Sequence, residues 1–192
     1  MKHIQKDIAN EPQSLRDYRN NTPNAVYDGG NFDTQALKTA LLKEQGYLCA
    51  YCLGKIGLEL GANNKPKVEV EHVKPRKKYP KDELDYNNMV AVCNGLSEIY
   101  PDKVKVHHCD KTQGSEGKMN GMVELKKLNP LHKASSEDLI GYNLNGKIKS
   151  FKLDPDVEHD LNTALNLNND SLMKNRRVII DPGKGRPGKR QT

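Results

Sequence analysis

Four cysteines are the feature that most constrains how this chain can fold. Cys49 and Cys52 form a Cys-x-x-Cys pair, and Cys93 and Cys109 follow far downstream. Two thiolates on one tight turn can share a tetrahedral zinc ion at a Zn–S distance of about 2.3 Å. Because zinc needs two further soft ligands and the chain has no fifth cysteine, the count favours one structural zinc site built from all four thiolates.

Two alternatives stay open for these cysteines: a redox-active pair, or unrelated buried thiols. A redox Cys-x-x-Cys normally begins a helix after a strand of a parallel sheet, whereas this one follows a predicted helix. Composition favours a metal, since only 35% of the residues are hydrophobic and 5% aromatic, with no tryptophan. A core with so few apolar residues usually needs a disulfide, a metal or a partner subunit for stability, and structural zinc contributes on the order of 10 kcal/mol to folding.

The hydropathy of the chain predicts no membrane segment. The longest apolar run is the five residues from Met89 to Cys93, against the roughly 20 that a membrane-spanning helix needs. The first residues also lack the apolar stretch of a secretory signal. We therefore expect a cytoplasmic protein with no membrane partner.

Positive charge is concentrated in two stretches. The formal net charge is +6, from 31 Lys and Arg against 25 Asp and Glu. Residues 65–81 carry a net +5, and residues 183–192 carry +4 without an acid. Concentrated basic charge is typical of a protein that binds a polyanion, although a solvated lysine-rich loop would have the same composition.

The first half of the chain is predicted to hold an arm, a helix and two strands. Residues 1–32 are polar and interrupted by proline and glycine, which predicts an irregular arm. Asp33 is a good N-cap for a helix that stops near Gly46. Alternating Val and Glu predict a half-buried strand over residues 67–73, and an apolar run predicts a second strand over 88–93.

The second half is predicted to hold an insertion, a hairpin and a last helix. Residues 94–106 are predicted to be an insertion, and a short helix is predicted to begin near residue 110. Asn145-Gly146 between apolar runs predicts a β-hairpin, and residues 171–180 predict a helix. The tail over 182–192, rich in Gly and Pro, is predicted to be disordered.

A Glu71-His72 pair lies at the end of the first predicted strand, within the basic stretch. Phosphodiester hydrolysis needs a general base for the attacking water and a hard cation to stabilise charge on the phosphate. Histidine has an ordinary pKa near about 6.5, and a glutamate offers the oxygen ligand that Mg²⁺ prefers. The dipeptide alone is weak evidence because it occurs by chance in many proteins.

The wider set of motifs resembles the zinc-bearing branch of the HNH endonucleases. The resemblance is carried by Tyr47-Leu-Cys-Ala-Tyr-Cys52, Val70-Glu-His-Val-Lys-Pro75, Asp85-Tyr-Asn-Asn-Met89, Cys93 and Cys109-Asp110-Lys111. In that family a β-hairpin followed by a helix, the ββα-metal motif, carries one catalytic metal. Over residues 1–180 the chain is also similar to the HNH subunits of retron and Septu-type (PtuB-like) anti-phage systems, through Ile4-Gln-Lys6, Leu15-Arg-Asp-Tyr-Arg19, the run from Ala40 to Cys49, and Leu165-Asn-Leu-Asn168.

The resemblance implies a catalytic role for four residues. His72 would be the general base, and Asn88 would fix the histidine loop by hydrogen bonding. Glu71 would ligate the catalytic Mg²⁺ or Mn²⁺. The third HNH position, usually His or Asn, falls on Asp110, whose carboxylate is at least as good a ligand for Mg²⁺.

The chain also departs from the family pattern in its cysteine spacing. Fifteen residues separate Cys93 from Cys109, where many zinc-bearing HNH proteins have two. The longer gap leaves His107 and His108 as alternatives for metal or phosphate binding, or as a solvated pair. Asp110 could equally be a helix N-cap, a role compatible with binding metal.

Cations that flank these motifs are predicted to contact a phosphate backbone. They are Lys74, Arg76, Lys77, Lys78 and Lys111. Such contacts give affinity and salt dependence but do not read sequence. Because no recognition helix or run of exposed aromatic residues is evident, specificity would come from a partner or from the shape of the substrate.

The prediction is an α+β protein with four parts. These are an N-terminal arm and helix over 1–46, a zinc-stapled ββα-metal (HNH/His-Me finger) core over 47–115, a hairpin and helix region over 116–181, and the basic tail over 182–192.

The resemblance implies an effector nuclease of an anti-phage defence complex that cleaves DNA, or RNA such as tRNA. Its implied partners are an ABC-type ATPase subunit and a retron reverse transcriptase with its msDNA. The alternative is a zinc-ribbon module that binds nucleic acid or acts as an adaptor without catalysis.

Overall fold

The computed structural model describes residues 1–60, 67–99, 104–113, 125–132 and 136–181. The helices are α1 Gln13–Asn21, α2 Thr34–Glu44, α3 Asp110–Gln113, α4 Pro155–His159 and α5 Asp170–Ile180. The strands are β1 Glu69–His72, β2 Met89–Val92, β3 Leu96–Ile99, β4 Val104–His107, β5 Ile140–Tyr142 and β6 Ile148–Ser150. The predicted disordered tail over 182–192 lies outside the described residues.

The described strands form three antiparallel pairs, β1 with β2, β3 with β4, and β5 with β6. In the first pair, Glu71 lies opposite Val90 and His72 opposite Met89. All four residues of β2 are buried, whereas β1 is only partly covered. The two predicted strands are therefore confirmed. The Glu-His pair lies at the end of the hairpin where the connecting loop begins, paired with the buried strand β2.

The helix α2 begins and ends as the sequence predicts. The Asp33 side chain accepts a hydrogen bond from the backbone N–H of Ala36 at 2.9 Å, and Gly46 takes a positive φ of 61° beyond the last turn. Gln45 then binds both backbone groups of Ala91, donating to its carbonyl oxygen at 2.8 Å and accepting from its N–H at 2.6 Å. This clamp fixes the end of α2, and the cysteine turn that follows it, against β2.

The expectation of an irregular N-terminal arm was wrong over residues 13–21, which form α1. Leu15 is fully buried, and the carboxylate of Glu11 accepts hydrogen bonds from Arg16 and Arg19 of this helix. The helix has few apolar residues, so its local pattern is weak, and packing against the rest of the chain stabilises it. The arm also contacts α2, where the Lys6 ammonium lies 2.5 Å from the Glu44 carboxylate.

The predicted insertion at 94–106 contains a second hairpin, formed by β3 and β4. Gly95 begins it with a positive φ of 62°, and a Cβ at this position would lie 2.5 Å from the carbonyl oxygen of His108. The close approach of the two backbones therefore requires glycine here. The hairpin brings Cys93 and Cys109 together, although fifteen residues separate them in sequence.

The predicted C-terminal hairpin and helix are both confirmed. Asn143 donates its backbone N–H to the Lys147 carbonyl oxygen at 2.9 Å, and Gly146 has a φ of 84° in the turn. A Cβ on Gly146 would lie 2.1 Å from the carbonyl oxygen of Met173, so the turn packs directly on α5. None of the helices in the described ranges combines the length and apolar character needed to cross a membrane.

A buried aspartate organises the segment before β5. Asp160 is fully buried, and its carboxylate accepts hydrogen bonds from the backbone N–H groups of Lys126, Lys127 and Leu128 at 2.8–3.0 Å. Three donors on one carboxylate satisfy consecutive backbone groups that have no strand or helix partner. Asp160 therefore fixes this segment against the helical turn over Asp160–Ala164.

We predict that Asp160→Ala lowers the free energy of unfolding by about 3 kcal/mol or more, because each buried donor left without an acceptor costs about 1–3 kcal/mol. Urea denaturation of the zinc-saturated protein, followed by circular dichroism, measures the change. Asp156→Ala is the control: its ion pair with Lys126 is half-exposed, so a loss near 0.5 kcal/mol is expected. Equal losses in the two variants would contradict this role for Asp160.

Candidate metal centre and active site

The structure brings the four cysteines together from three parts of the chain. Their sulfur atoms all lie within 4.8 Å of one another, with 4.0 Å between Cys49 and Cys109 and 3.9 Å between Cys52 and Cys93. A tetrahedral zinc with Zn–S bonds of about 2.3 Å separates its sulfur ligands by about 3.8 Å. The prediction that the four cysteines gather in one cluster is confirmed by these distances. The four cysteines form no disulfide.

The pKa values of the clustered thiols shift in opposite directions. The hydrogen bond with Cys109 lowers the pKa of Cys93, but those with Cys49 and Cys52 outweigh it and raise that pKa, and burial raises the pKa of Cys109. Burial alone would raise the pKa of the Cys49 thiol, but hydrogen bonds from the other three cysteines hold it well below its ordinary value. Backbone N–H groups also point at sulfur, from Cys93 to Cys49 and from Gly54 to Cys52, both at 3.4 Å. Four soft donors at this spacing, with N–H groups directed at them, fit a zinc ion.

The adjacent histidines His107 and His108 differ in environment. His107 is exposed, whereas His108 is buried, with its Nδ1 3.2 Å from the Cys109 sulfur and its Nε2 2.9 Å from the Ser97 hydroxyl oxygen. His108 therefore lies against the thiol cluster. Of the two histidines considered as alternative ligands, His107 is therefore at the surface and His108 is beside the cysteines.

His72 is held in one orientation at the end of β1. Its Nε2 lies 2.8 Å from the backbone carbonyl oxygen of Glu83. The residue is buried, with only 7% of its surface exposed. A carbonyl can only accept, so Nε2 carries the proton and Nδ1 keeps its lone pair. Burial lowers the pKa of His72, which favours this neutral form at neutral pH.

Asn88 holds the loop that follows His72. Its Oδ1 accepts from the backbone N–H of Lys74 at 2.7 Å, and its Nδ2 donates to the carbonyl oxygens of Lys74 at 3.1 Å and Asp82 at 3.2 Å. Asn88 is itself buried. Its side chain thus ties together both ends of the loop, which has no regular structure of its own beyond short helical turns.

The carboxyl groups of Glu71 and Asp110 are neighbours. Burial and the nearby Asp110 carboxylate raise the pKa of Glu71 well above its ordinary value. Asp110 is the first residue of α3 and follows Cys109, which reaches this position with a positive φ of 54°. Two carboxyl groups that repel when both are ionised would share a divalent cation favourably, so this oxygen pair fits Mg²⁺ or Mn²⁺.

Tyr51 connects the thiol cluster with this carboxyl pair, a contact that the sequence analysis missed. The ring lies in the turn between Cys49 and Cys52 and is buried, and its hydroxyl is 3.4 Å from the Oε1 of Glu71. Burial and the nearby carboxyl of Glu71 raise the pKa of Tyr51 well above its ordinary value. The hydroxyl therefore stays a donor towards Glu71. Its place inside the cysteine motif was the available sequence signal.

Lys111 contacts acids in the structure. Its ammonium is 2.5 Å from the Oε2 of Glu69 and 3.7 Å from the Oδ2 of Asp110. Although partial burial works against the charged form, the hydrogen bond with Glu69 raises the pKa of Lys111. Glu69 shares a strand face with Glu71, so three carboxyl groups and one ammonium meet at this edge of β1.

Two more of the predicted phosphate-binding cations are ion-paired in the structure. Lys74 lies 2.8 Å from Asp82, and Arg76 lies 2.7 Å from Asp28. Lys77 is exposed, and it has no ion pair with any described residue. These pairs are solvent-exposed and therefore weak, so phosphate could compete for the same cations.

The N-terminal arm contacts the histidine loop, which the sequence analysis also missed. The Arg19 guanidinium, paired with the buried Glu11, donates to the carbonyl oxygen of Leu84 at 2.9 Å. The next carbonyl back along the chain, that of Glu83, is the one that orients His72. Tyr27 of the same arm packs edge-on against the His72 ring, with 4.5 Å between ring centroids. The arm is therefore part of the structure that positions the histidine.

Comparison with known proteins supports the HNH family. The chain is 28% identical over 144 residues to an Escherichia coli protein provisionally named the HNH endonuclease of retron Ec83. The match covers 65% of this chain and 54% of that protein, so the chain spans about half the length of the curated relative it matches. No protein-family model matches the chain. The similarity supports a nuclease.

We predict about one zinc ion per chain by elemental analysis, and close to none in the double variant Cys49→Ser/Cys52→Ser, because the tetrahedral site loses two ligands from one turn and the chain has no fifth cysteine to replace them. Lys55→Ser, on the exposed side of the same turn, is the control and should keep its zinc. A wild-type protein without zinc but with a reactive, low-pKa Cys49 would favour the redox alternative.

Proposed function

We propose that this chain is a metal-dependent HNH endonuclease that hydrolyses phosphodiester bonds of nucleic acids. The observation that carries the proposal is the oriented, neutral imidazole of His72 at the end of the strand whose neighbouring residue, Glu71, pairs with Asp110. A base with a free nitrogen and a pair of oxygen ligands are the two components that this hydrolysis needs. The similarity to a retron HNH protein supports the same reaction class.

His72 would act through its Nδ1, which takes a proton from the attacking water. The hydrogen bond from Nε2–H to the Glu83 carbonyl keeps the ring oriented and stabilises the imidazolium that forms. Glu71 and Asp110 would hold Mg²⁺ or Mn²⁺, which when bound stabilises negative charge on the phosphate and the leaving oxygen. Tyr51 would orient the Glu71 carboxylate through its hydroxyl.

Asn88 is proposed as a positioning residue that acts through the loop. Its three hydrogen bonds fix the backbone after His72, while Arg19 fixes the backbone near Glu83. A general base must lie within hydrogen-bond reach of the water that it activates, so both ends of this loop need to be held.

The proposed substrate is DNA, with structured RNA such as tRNA as the second candidate. Hydrolysis by an activated water needs no 2′-hydroxyl, so the chemistry permits both. Lys74, Arg76, Lys77, Lys78 and Lys111 are proposed to contact the phosphates. The binding would be independent of sequence and weaken with salt.

We place the nuclease in an anti-phage defence complex. The relative is named for a retron, which supports a retron context with a reverse transcriptase and its msDNA. An ABC-type ATPase subunit is the further partner proposed from the family resemblance. Such partners would supply the specificity that the basic residues do not.

A zinc-binding module without catalysis is the second candidate. It is favoured by the burial of His72 under Tyr27 and by the ion pairs that occupy Lys74, Arg76 and Lys111. In this case the protein would bind nucleic acid with zinc present but would cleave neither DNA nor RNA.

We expect His72→Ala to reduce cleavage of plasmid DNA or tRNA by at least about 10²-fold in Mg²⁺ or Mn²⁺, because a positioned general base contributes about 10²–10⁴-fold. Zinc content and circular dichroism should not change. His132→Ala removes an exposed histidine and should cleave like the wild type. Cleavage that survives His72→Ala but stops with EDTA would point to a contaminant and overturn the assignment.

Glu71→Gln and Asp110→Asn are expected to weaken Mn²⁺ binding at least about tenfold, because each removes one carboxylate from the pair. Titration calorimetry on the zinc-loaded protein gives the affinity directly, without a cleavage assay. Glu59→Gln is the control: it removes an exposed carboxylate whose ion pair is with Lys67, and less than about a threefold change is expected. Affinities unchanged in all three variants would place the catalytic metal elsewhere.

A further inference from the structure

His72 is covered by the segment that joins α1 to α2, residues 22–33, which we call the cover. Tyr27 of the cover lies edge-on against the imidazole, with 4.5 Å between the ring centroids, and His72 is only 7% exposed. A general base must come within hydrogen-bond reach of its water, and that water must in turn face a phosphodiester. A residue buried to this extent cannot meet both, so the proposed catalysis needs the cover to move.

The cover lies at the surface and has no regular structure. It contains neither helix nor strand, and none of its residues, all of which the structure describes, is buried. Tyr27 donates its backbone N–H to the Glu83 carboxylate at 3.1 Å, and Tyr18 of α1 donates its hydroxyl to the carbonyl oxygen of Val26 at 3.1 Å. Segments with few buried contacts are the parts of a protein that open at low cost in free energy.

One exposed ion pair, the latch, fastens the cover over the ring. The Oδ2 of Asp28, the residue after Tyr27, lies 2.7 Å from the Nη1 of Arg76, and the Asp28 side chain is 80% exposed. The same guanidinium lies over the Tyr27 ring, 5.1 Å from its centroid. Arg76 therefore contacts two consecutive residues of the cover. Because exposed ion pairs are weak, a second anion can take this cation from Asp28.

We propose that residues 22–33 are an autoinhibitory cover of His72, and that a backbone phosphate of the substrate opens it by taking Arg76 from Asp28. The proposal rests on the nuclease function proposed above, since only a general base needs this access. A phosphate can accept from two N–H groups of one guanidinium, so it matches the carboxylate that it replaces. The histidine would thus stay covered until nucleic acid lies beside it.

The hydrogen bond that orients His72 comes from outside the cover. Nε2 of the ring binds the Glu83 carbonyl oxygen, and Arg19 of α1 holds the neighbouring backbone through the carbonyl oxygen of Leu84. Neither contact involves residues 22–33, so the ring keeps its direction when the cover moves away. The cover therefore controls access to the imidazole, while the loop after β1 and α1 control its orientation.

Carbethoxylation of His72 by diethyl pyrocarbonate, followed by peptide mass spectrometry of the zinc-loaded protein, measures this access. At about pH 8 a histidine with an ordinary pKa near about 6.5 is neutral, so the rate reports exposure. We expect Asp28→Asn to raise the His72 rate at least about twofold, a change that one exposed ion pair can produce. Tyr27→Ala, which removes the covering ring, should raise it further. Asp17→Asn, an exposed aspartate of α1, is the control with the wild-type rate, and the exposed His132 is the internal reference in every sample.

Inorganic phosphate is the probe for opening. Compared with chloride at equal ionic strength, it should raise the His72 rate of the wild type at least about twofold and leave Arg76→Gln, in which the latch is already absent, unchanged. A smaller effect on the wild type, or an equal effect on Arg76→Gln, would overturn the release of the cover through Arg76.

A His72 rate that rises less than about twofold in Asp28→Asn would overturn the cover itself, as would an equal rise in Asp17→Asn. If Tyr27→Ala does not fold, Asp28→Asn decides alone. No cleavage assay enters this test, so its failure would leave the proposed nuclease activity untouched. A protein that uncovers His72 as expected but cleaves no nucleic acid would overturn the nuclease proposal instead.

Discussion

The gathering of four sulfurs is the constraint on which the rest of the structure depends. The cluster joins the turn after α2, the end of β2 and the residue before α3. Closing it brings Asp110 beside Glu71, because each lies next to an element that the cysteines fix. Tyr51, inside the cysteine turn, contacts Glu71 directly. The thiol cluster and the geometry of the carboxyl pair are therefore two results of one arrangement.

A different kind of interaction holds the histidine. The loop between β1 and β2 contains only short helical turns, so side chains satisfy its backbone groups in place of a sheet or a long helix. Asn88, the last residue of the loop before β2, binds its earlier part, and Arg19 binds it from the N-terminal arm. These contacts hold the backbone carbonyl of Glu83 in place. Because the His72 ring donates to that carbonyl, both its orientation and its tautomer are fixed.

The charges of the site are arranged in two separate groups. On the strand edge, acidic residues outnumber Lys111, which suits an added divalent cation. In the second group, the candidate metal-binding atoms are the four cysteine sulfurs, with no carboxylate among them. Tyr51, which lies between Cys49 and Cys52 in the chain, contacts Glu71 and so links the two groups.

The sequence by itself determined the elements with strong local signals and the number of thiols. The Asp33 cap, the apolar run of β2 and the Asn145-Gly146 turn each act within a few residues, so α2, the first hairpin and the last hairpin were predicted and confirmed. The roles of His72, Asn88, Glu71 and Asp110 stay predictions from the family resemblance. Only the tertiary structure decided α1, the β3–β4 hairpin and the contacts of Tyr51, Arg19 and Arg176. Most of these contacts join residues far apart in the chain, and their free energy comes from burial and pairing that exist only once the chain has folded.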